Sequence, residues 1–583
     1  MEKIGIGGKG LDALGLTELE LLGKTIDIAG IIKTSKETRL LVSAGGQTYE
    51  YKTKEVKSKG ETYEGIAIDG KAVGSMYAGK IDIISNDKGA GVNTKGDLVS
   101  VDDIVLTANG DITTVKVDSG KDLKYKTTQK VKMNGKTTVA KKVKIKAKET
   151  EINAKVVTGY LEKALGKKSL DIESEKTNIT AKIEAQGKIR INSNQIQNSG
   201  EIFATEKVNI AGNKLNNNNG EIRSNQKIEI NTKEASNVKG YILSDGLTKE
   251  DVKKEENKNT KNTEEVKNKE KGINITGDLD NTEGVIRGRE ISLGNLTGNN
   301  KGKIDSIGAL TFNGKIIVNK GGLISGNIQE LDVDKLINDE GKLLSTEKIN
   351  GIAKEISNKN GEILGVKTVT LVGDKLNNLS GVIRSYGKVK LNEKDVSNVE
   401  GYILSDGITK EQAQNWKVEE KFKEESKEDK NKKDLNEKKE QTTGTLLNIG
   451  RLDNTKGIIA SLSQTTVNVG KIANNDGKIV SKGAVELTTP NEYEYKGLVE
   501  GDYSTTLNAK KIIINNNIDR KNTLSLISKE ELTLGQSIRA RILSIATQAD
   551  LRNTKDISAT NLLSITAKNI ENSGKHKIRK SVS

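Results

Sequence analysis

Residues 375–392, KLNNLSGVIRSYGKVKLN, nearly repeat residues 214–231, KLNNNNGEIRSNQKIEIN, and a looser form of the same pattern recurs along most of the chain. Anchored on glycine, the register falls at Gly200, Gly220 and Gly240, then at Gly284, Gly302, Gly322, Gly341, Gly361, Gly381 and Gly401, then at Gly457 and Gly477. Spacing within each run is 18 to 20 residues. Two positions after each glycine stands Ile or Leu, and four positions after it stands Ser, Ala or Gly. Three positions before it stands Asn in eleven of twelve units, Gln197 being the exception. Many units also start with an aliphatic five before the glycine, so the unit reads aliphatic-x-Asn-x-x-Gly-x-aliphatic-x-small, followed by a second alternating stretch such as KVKLN.

Alternation with period two is the mark of a strand with one buried face, and no unit shows the 3.6-residue period of a helix. Short strands joined by tight turns every 20 residues describe one coil of a solenoid, which buries its apolar edge only by stacking on the next coil. The fold class expected is therefore all-β: a right-handed parallel β-helix with about 20 residues per coil. A left-handed hexapeptide helix would need a six-residue period, which is absent; an antiparallel sandwich of short strands is the alternative. In this reading glycine supplies positive φ at the turn, and asparagine tolerates left-handed geometry while its amide bonds to the asparagine of the next coil. The ladder so predicted contains Asn217, Asn281, Asn338, Asn358, Asn378, Asn398, Asn454 and Asn474, with Gly220, Gly381 and Gly401 at its turns.

A chain of 583 residues built from several compact globules would carry more than 33% hydrophobic and 3% aromatic residues. Disorder would suit 30% charged residues, but not a fixed apolar register. Pro490 is the only proline and there is no cysteine, which removes disulfides, thiolate metal sites and cysteine nucleophiles. His576 is the only histidine and lies in a basic tail, so a Ser-His-Asp triad or multi-histidine metal site is not expected, nor any cofactor. No run of 18 apolar residues suggests a membrane-spanning helix, and MEKIGIGGKGLDALGL lacks the apolar core of a signal peptide.

The 161-residue offset between the two copies is a duplication of eight coils, carrying SNVKGYILSDGLTKE at 236–250 and SNVEGYILSDGITKE at 397–411. Each copy then enters a charged segment before the pattern resumes at LDNTEG and LDNTKG. The second segment is longer by twelve residues, and the coil pattern absorbs the difference, as it would for a surface loop. They read as solvated helical or disordered excursions, with Trp416 and Phe422 the only apolar hints of partner binding.

Residues 74–98, GSMYAGKIDIISNDKGAGVNTKGDL, resemble the end of the secretion domain of filamentous-haemagglutinin-type two-partner-secretion exoproteins, and the Asn-Gly units resemble that family's haemagglutinin repeats. The resemblance runs from about Leu11 to Gly477. It implies a β-helical shaft exported through an outer-membrane partner transporter, acting as an adhesin or as the stalk of a contact-delivered toxin. The family's signal peptide and Asn-Pro motifs are missing, so the resemblance implies that Met1 starts inside the secretion domain, with LDALGLTELELLGKTIDIAGIIK as its last third.

The organisation expected is the later part of the secretion domain at 1–115, a Lys-rich irregular β-helix at 116–195 and repeat coils at 196–247. A charged excursion at 248–272, repeat coils at 273–408, a second excursion at 409–441 and repeat and degenerate coils at 442–583 complete it.

Net charge is +15 and uneven: KDLKYKTTQKVKMNGKTTVAKKVKIKAK at 121–148 holds eleven lysines against Asp122. Lys142, Lys144, Lys146 and Lys148 alternate with Val143, Ile145 and Ala147, which on a strand lines ammonium groups along one outer face, with Lys141 beside them. Such a row suits sulfated glycan or anionic lipopolysaccharide, or simply a solvated face that resists edge pairing. Nucleic acid is not expected, because interleaved aromatics and arginine are lacking. Some parallel β-helices are polysaccharide lyases, but these coils are near-copies without a fixed carboxylate pair, so no enzyme is expected. The function expected is an adhesive shaft meeting glycans or proteins of host or neighbouring cells, with the stalk of a toxin lacking its tip as the alternative.

Overall fold

The computed structural model describes residues 2–160, 168–255, 271–416 and 443–578. It is all-β, with 65% of the chain in strands that stack as coils about 20 residues apart. Two units divide it: residues 1–298 with 302–307, and residues 299–301 with 308–583.

In the first unit, Glu201–Ala204 pairs in parallel with Glu221–Ser224, which pairs with Tyr241–Leu243. Lys207–Asn216 lies on Lys227–Ser236 in the same way. The second unit repeats this with Glu362–Gly365, Val382–Ser385 and Tyr402–Leu404, and with Thr368–Asn377, Lys388–Ser397 and Gly444–Asp453. Each residue therefore sits over its counterpart one coil away, so that Ile202, Ile222 and Ile242 form a fully buried column. Towards the end of the second unit, Glu492–Tyr495, Lys511–Ile514, Leu532–Leu534, Asp550–Asn553 and Asn569–Asn572 make a separate sheet. In the first unit the antiparallel hairpin Gln47–Glu50 with Glu55–Ser58 stands apart from the coil pairing.

The turns correct one expectation. The register glycines do not carry the positive φ; in nine of the twelve turns the residue before them does, as at Asn219 (59°), Lys239 (54°), Glu340 (57°), Asn360 (51°), Ser380 (52°) and Glu400 (53°). Glycine is needed for a different reason. A Cβ on Gly220 would lie 2.4 Å from Asn198 O and 2.6 Å from Asn217 Oδ1, and one on Gly381 would lie 1.9 Å from Asn358 O. The previous coil passes so close that no side chain fits, while the left-handed turn is left to residues that pay a modest penalty for it.

Four positions after the glycine, the small residue closes the next corner. Ser224 is fully buried, its hydroxyl donating to Glu206 O at 2.7 Å and accepting from the Gln226 N–H at 3.0 Å. A larger side chain would have to displace that coil.

Residues 256–270 and 417–442, which take in much of the two predicted excursions, lie outside the described residues, and Phe422 with them. Their described bases are built alike. Lys249–Glu255 is helical with Val252 buried, and Lys410–Gln414 is helical behind a Thr409–Gln412 capping box with Ala413 buried. Lys249 Nζ sits 4.7 Å from the centre of the Tyr241 ring, and Lys410 Nζ 4.6 Å from that of Tyr402. Trp416 packs against the cluster of Tyr402, Leu404, Ile458 and Ala460. Across the second excursion, Asp406 accepts from the Gly444 N–H at 2.7 Å and the Ser463 N–H at 2.9 Å, which fixes the strand on which the chain re-enters.

Ser380→Gly is expected to raise stability by about 0.5 to 1 kcal/mol, because it relieves a left-handed serine. Gly381→Ala, one residue on, is expected to cost about 3 kcal/mol or more through collision with Asn358. Urea midpoints of the full chain measure both, and a midpoint lowered by Ser380→Gly would contradict a left-handed serine at that position.

Candidate anion-binding face and asparagine ladder

Two constructions bear on function: a buried ladder that fixes the coils, and an outer lysine face they present. In the first unit Asn198 Nδ2 donates to Asn217 Oδ1 at 2.7 Å, Asn217 to Asn237 at 2.7 Å and Asn237 to Asn281 at 2.8 Å. In the second the chain of amides runs Asn300, Asn319, Asn338, Asn358, Asn378, Asn398, Asn454 and Asn475, with N···O distances of 2.7 to 3.1 Å. Asn358, Asn378 and Asn398 also donate to the carbonyls of Gly361, Gly381 and Gly401 in their own turns at 3.2 Å. All three asparagines are fully buried.

Three rungs stand one residue from where the sequence spacing puts them: Asn198 rather than Gln197, Asn300 rather than Asn299, and Asn475 rather than Asn474. The side chain of Asn474 lies outside the described residues, and its backbone pairs with Asp453 across a register shift. The cause is the turn length. Where Asn and Gly are three apart, a left-handed residue such as Asn219, Ser380 or Lys456 fills the gap. Where Ser199, Lys301 and Asp476 take its place, positive φ is absent and the turn is one residue shorter.

The lysine face lies on Leu123–Thr127 and Lys142–Lys146, which pair in register. Leu123, Tyr125, Val143 and Ile145 point inward and are buried. Tyr125 OH bonds Thr114 Oγ1 at 3.0 Å, and burial pushes its phenol above the ordinary range, so the one aromatic of this stretch is not offered to a ligand. Outward, Lys124 stacks on Lys144 and Lys126 on Lys146. The strand ends at Lys146, so Lys148 follows beyond a bend, exposed, while Lys141 precedes the strand and is half-buried.

The next coil brings acids. Lys142 Nζ lies 2.6 Å from Asp171 Oδ2 and Lys146 Nζ 2.8 Å from Glu173 Oε1. The bond from Lys146 holds the Glu173 carboxyl below its usual range. Lys124, Lys126 and Lys144 have no carboxylate within ion-pair distance among the described residues, and all three are exposed. Like charges stacked at the inter-coil spacing of about 4.8 Å repel, and acids answer this small face from one side only: on the next coil Lys144 lies in register with Asp171 and Lys146 with Glu173, while on the other side Lys124 and Lys126 face Val105 and Thr107. Nearby, Lys130 is answered by Glu149 at 3.1 Å and Glu151 at 2.8 Å, which raises the lysine's pKa and lowers that of Glu151.

Among the described residues no group of three His, Asp or Glu is placed to hold a metal ion, and no helix is long and apolar enough to cross a membrane.

The TPS secretion domain family model matches residues 2–114. The Haemagglutinin repeat model matches 138–251, 274–340, 329–393, 434–489, 464–536 and 535–582. Filamentous hemagglutinin of Bordetella pertussis is 29% identical over 111 residues, Toxin CdiA of Yersinia pestis 30% over 112, and tRNA nuclease CdiA-2 of Burkholderia pseudomallei 32% over 111. Each match covers 18% of this chain and 3% of the relative. No solved structure matches the chain.

Charge at the lysine face is separable by mutation. Replacing Lys124, Lys126 and Lys144 with Gln is expected to lower the salt concentration that elutes the chain from immobilised heparin, while Asp171→Asn with Glu173→Gln, which frees Lys142 and Lys146, is expected to raise it.

Proposed function

Since the chain belongs to the filamentous-haemagglutinin-like two-partner-secretion exoproteins, with haemagglutinin repeats over more than half its length, we propose that it is an adhesive, non-catalytic stretch of a secreted or cell-surface protein. Export through an outer-membrane transporter accompanies this reading, because residues 2–114 match the secretion domain. Attachment is to anionic glycans of host or neighbouring cells, through the face formed by Lys124, Lys126, Lys142, Lys144 and Lys146, flanked by Lys141 and Lys148. The observation that carries it is the stacking of Lys124 on Lys144 and Lys126 on Lys146, with no acid between the coils. An anionic polymer laid across those columns would add counter-charge beside Lys124, Lys126 and Lys144, where Asp171 and Glu173 answer from the next coil only.

Two of the three relatives are named as a toxin and a nuclease, which favours a second reading: a stalk whose activity belongs to another part of a longer protein. Binding by this chain alone separates the two. Beads coated with it are expected to adhere to target cells, to be released by soluble sulfated polysaccharide, and to lose adherence when Lys124, Lys126 and Lys144 are changed to Gln. Absence of adherence by the unaltered chain would overturn the adhesive reading in favour of the stalk.

A further inference from the structure

We propose that Glu393 is a built-in pH-sensitive weak point of the second unit: as a neutral acid it fills an apolar corner of the stack, and as a carboxylate it loosens the coils on either side of it. The residue lies on Lys388–Ser397, whose inward positions are otherwise Val389, Leu391 and Val396. It is 4% exposed, and neither carboxyl oxygen has a hydrogen-bond partner.

Its column explains how it fits. Ala353, Gly373, Glu393 and Ile449 stack in that order, so the acid has glycine on one side and isoleucine on the other. A Cβ on Gly373 would meet Glu393 Oε2 at 3.1 Å: the carboxyl occupies space that the missing side chain leaves. The equivalent pair in the first copy, 161 residues earlier, is Gly212 beneath Thr232, also 4% exposed. The two copies therefore share the glycine-lined corner, and the second carries a longer, ionisable group where the first has a small hydroxyl.

Charged groups on the strands packed against it do not compensate. On Thr368–Asn377, Asp374 is held by Lys394 at 2.7 Å, and Lys375 stacks on Asp395, which pairs with Arg451 of Gly444–Asp453 at 3.1 Å. Lys388 and Lys390 share the strand of Glu393 but occupy half-buried and exposed positions at its far end, and Asp453 lies beyond Arg451. Burial, reinforced by the Asp374 charge, pushes the Glu393 acid up to about 8. An opened coil returns it to about 4.3. The folded pKa is the higher one, so the stabilisation is complete below about 4.3 and is lost as pH rises to about 8, beyond which the loss levels off. The strand that loosens with it is Gly444–Asp453, by which the chain re-enters the stack after the second excursion.

Hydrogen exchange of the full chain tests this, read on peptides covering 388–397 and 444–453 and corrected for the intrinsic pH dependence of exchange. Local opening of the native protein is expected to rise about a hundredfold from pH 6 to pH 9. In Glu393→Gln, and in Glu393→Thr, which installs the residue of the first copy, it is expected to stay flat over that range. Parallel curves for the native chain and either variant would overturn the proposal. If Gln disturbs the packing, its opening is raised equally at both pH values, and Thr then carries the comparison.

Discussion

The hydrogen bond from one buried asparagine amide to the next is the interaction on which the coils depend. Each amide both accepts from one neighbour and donates to the other, so a rung is satisfied only when coils lie on both sides of it. That requirement sets the rest of the corner. The amides stack where the chain turns, the following residues must pass close beneath the previous coil, and only glycine fits there. The turn is also no gap in the sheet: the N–H of Asn358 reaches Asn377 O at 2.8 Å, and that of Ser380 reaches Val399 O at 2.9 Å, each in the neighbouring coil. An unsatisfied amide in this position would cost more than the bond contributes, which makes each rung a strong specifier of register.

Stacking in register also confronts every outward side chain with its counterpart one coil away, and charge is the stringent case. Much of the second unit resolves it by alternation. One column runs Lys335, Glu355, Lys375, Asp395 and Arg451 before Lys471 breaks the alternation, and beside it Asp334 pairs with Lys354 and Asp374 with Lys394. Lys335 meets Glu355 at 3.1 Å and Lys354 meets Asp334 at 2.8 Å, both at exposed positions where solvent screens the pair. Lys124 over Lys144 and Lys126 over Lys146 depart from that rule side by side, with acids following only on the next coil, at Asp171 and Glu173.

Much of the architecture was legible because aliphatic spacing is a direct record of burial: Ile222, Ile363 and Ile459 are each fully buried where the register puts them. The role of glycine was not, since a glycine required by a close approach and one required by positive φ look identical in a sequence. Nor were the exact rungs. Asn474 and Asn475 are adjacent, and the choice between them depends on whether the turn contains a left-handed residue, which Asp476 does not provide. The partners of the lysine row were hidden by an irregular coil: Asp171 stands 29 positions beyond Lys142, outside the 20-residue period, although it lies one coil away. Glu393 was masked for a related reason, because periodicity marks its position as inward without saying what the column below leaves empty.

Amide hydrogen exchange at the asparagine corners tests the account most directly, because tight turns ordinarily exchange fast and these are bonded coil to coil. The backbone amides of Asn338, Asn358, Asn378, Glu340, Asn360 and Ser380 are predicted to exchange as slowly as the strand amides of Ile349, Val369 and Val389. Fast exchange at the corners beside slow exchange in the strands would show that the coils are held by their faces alone, and would contradict the ladder as the element that sets the fold.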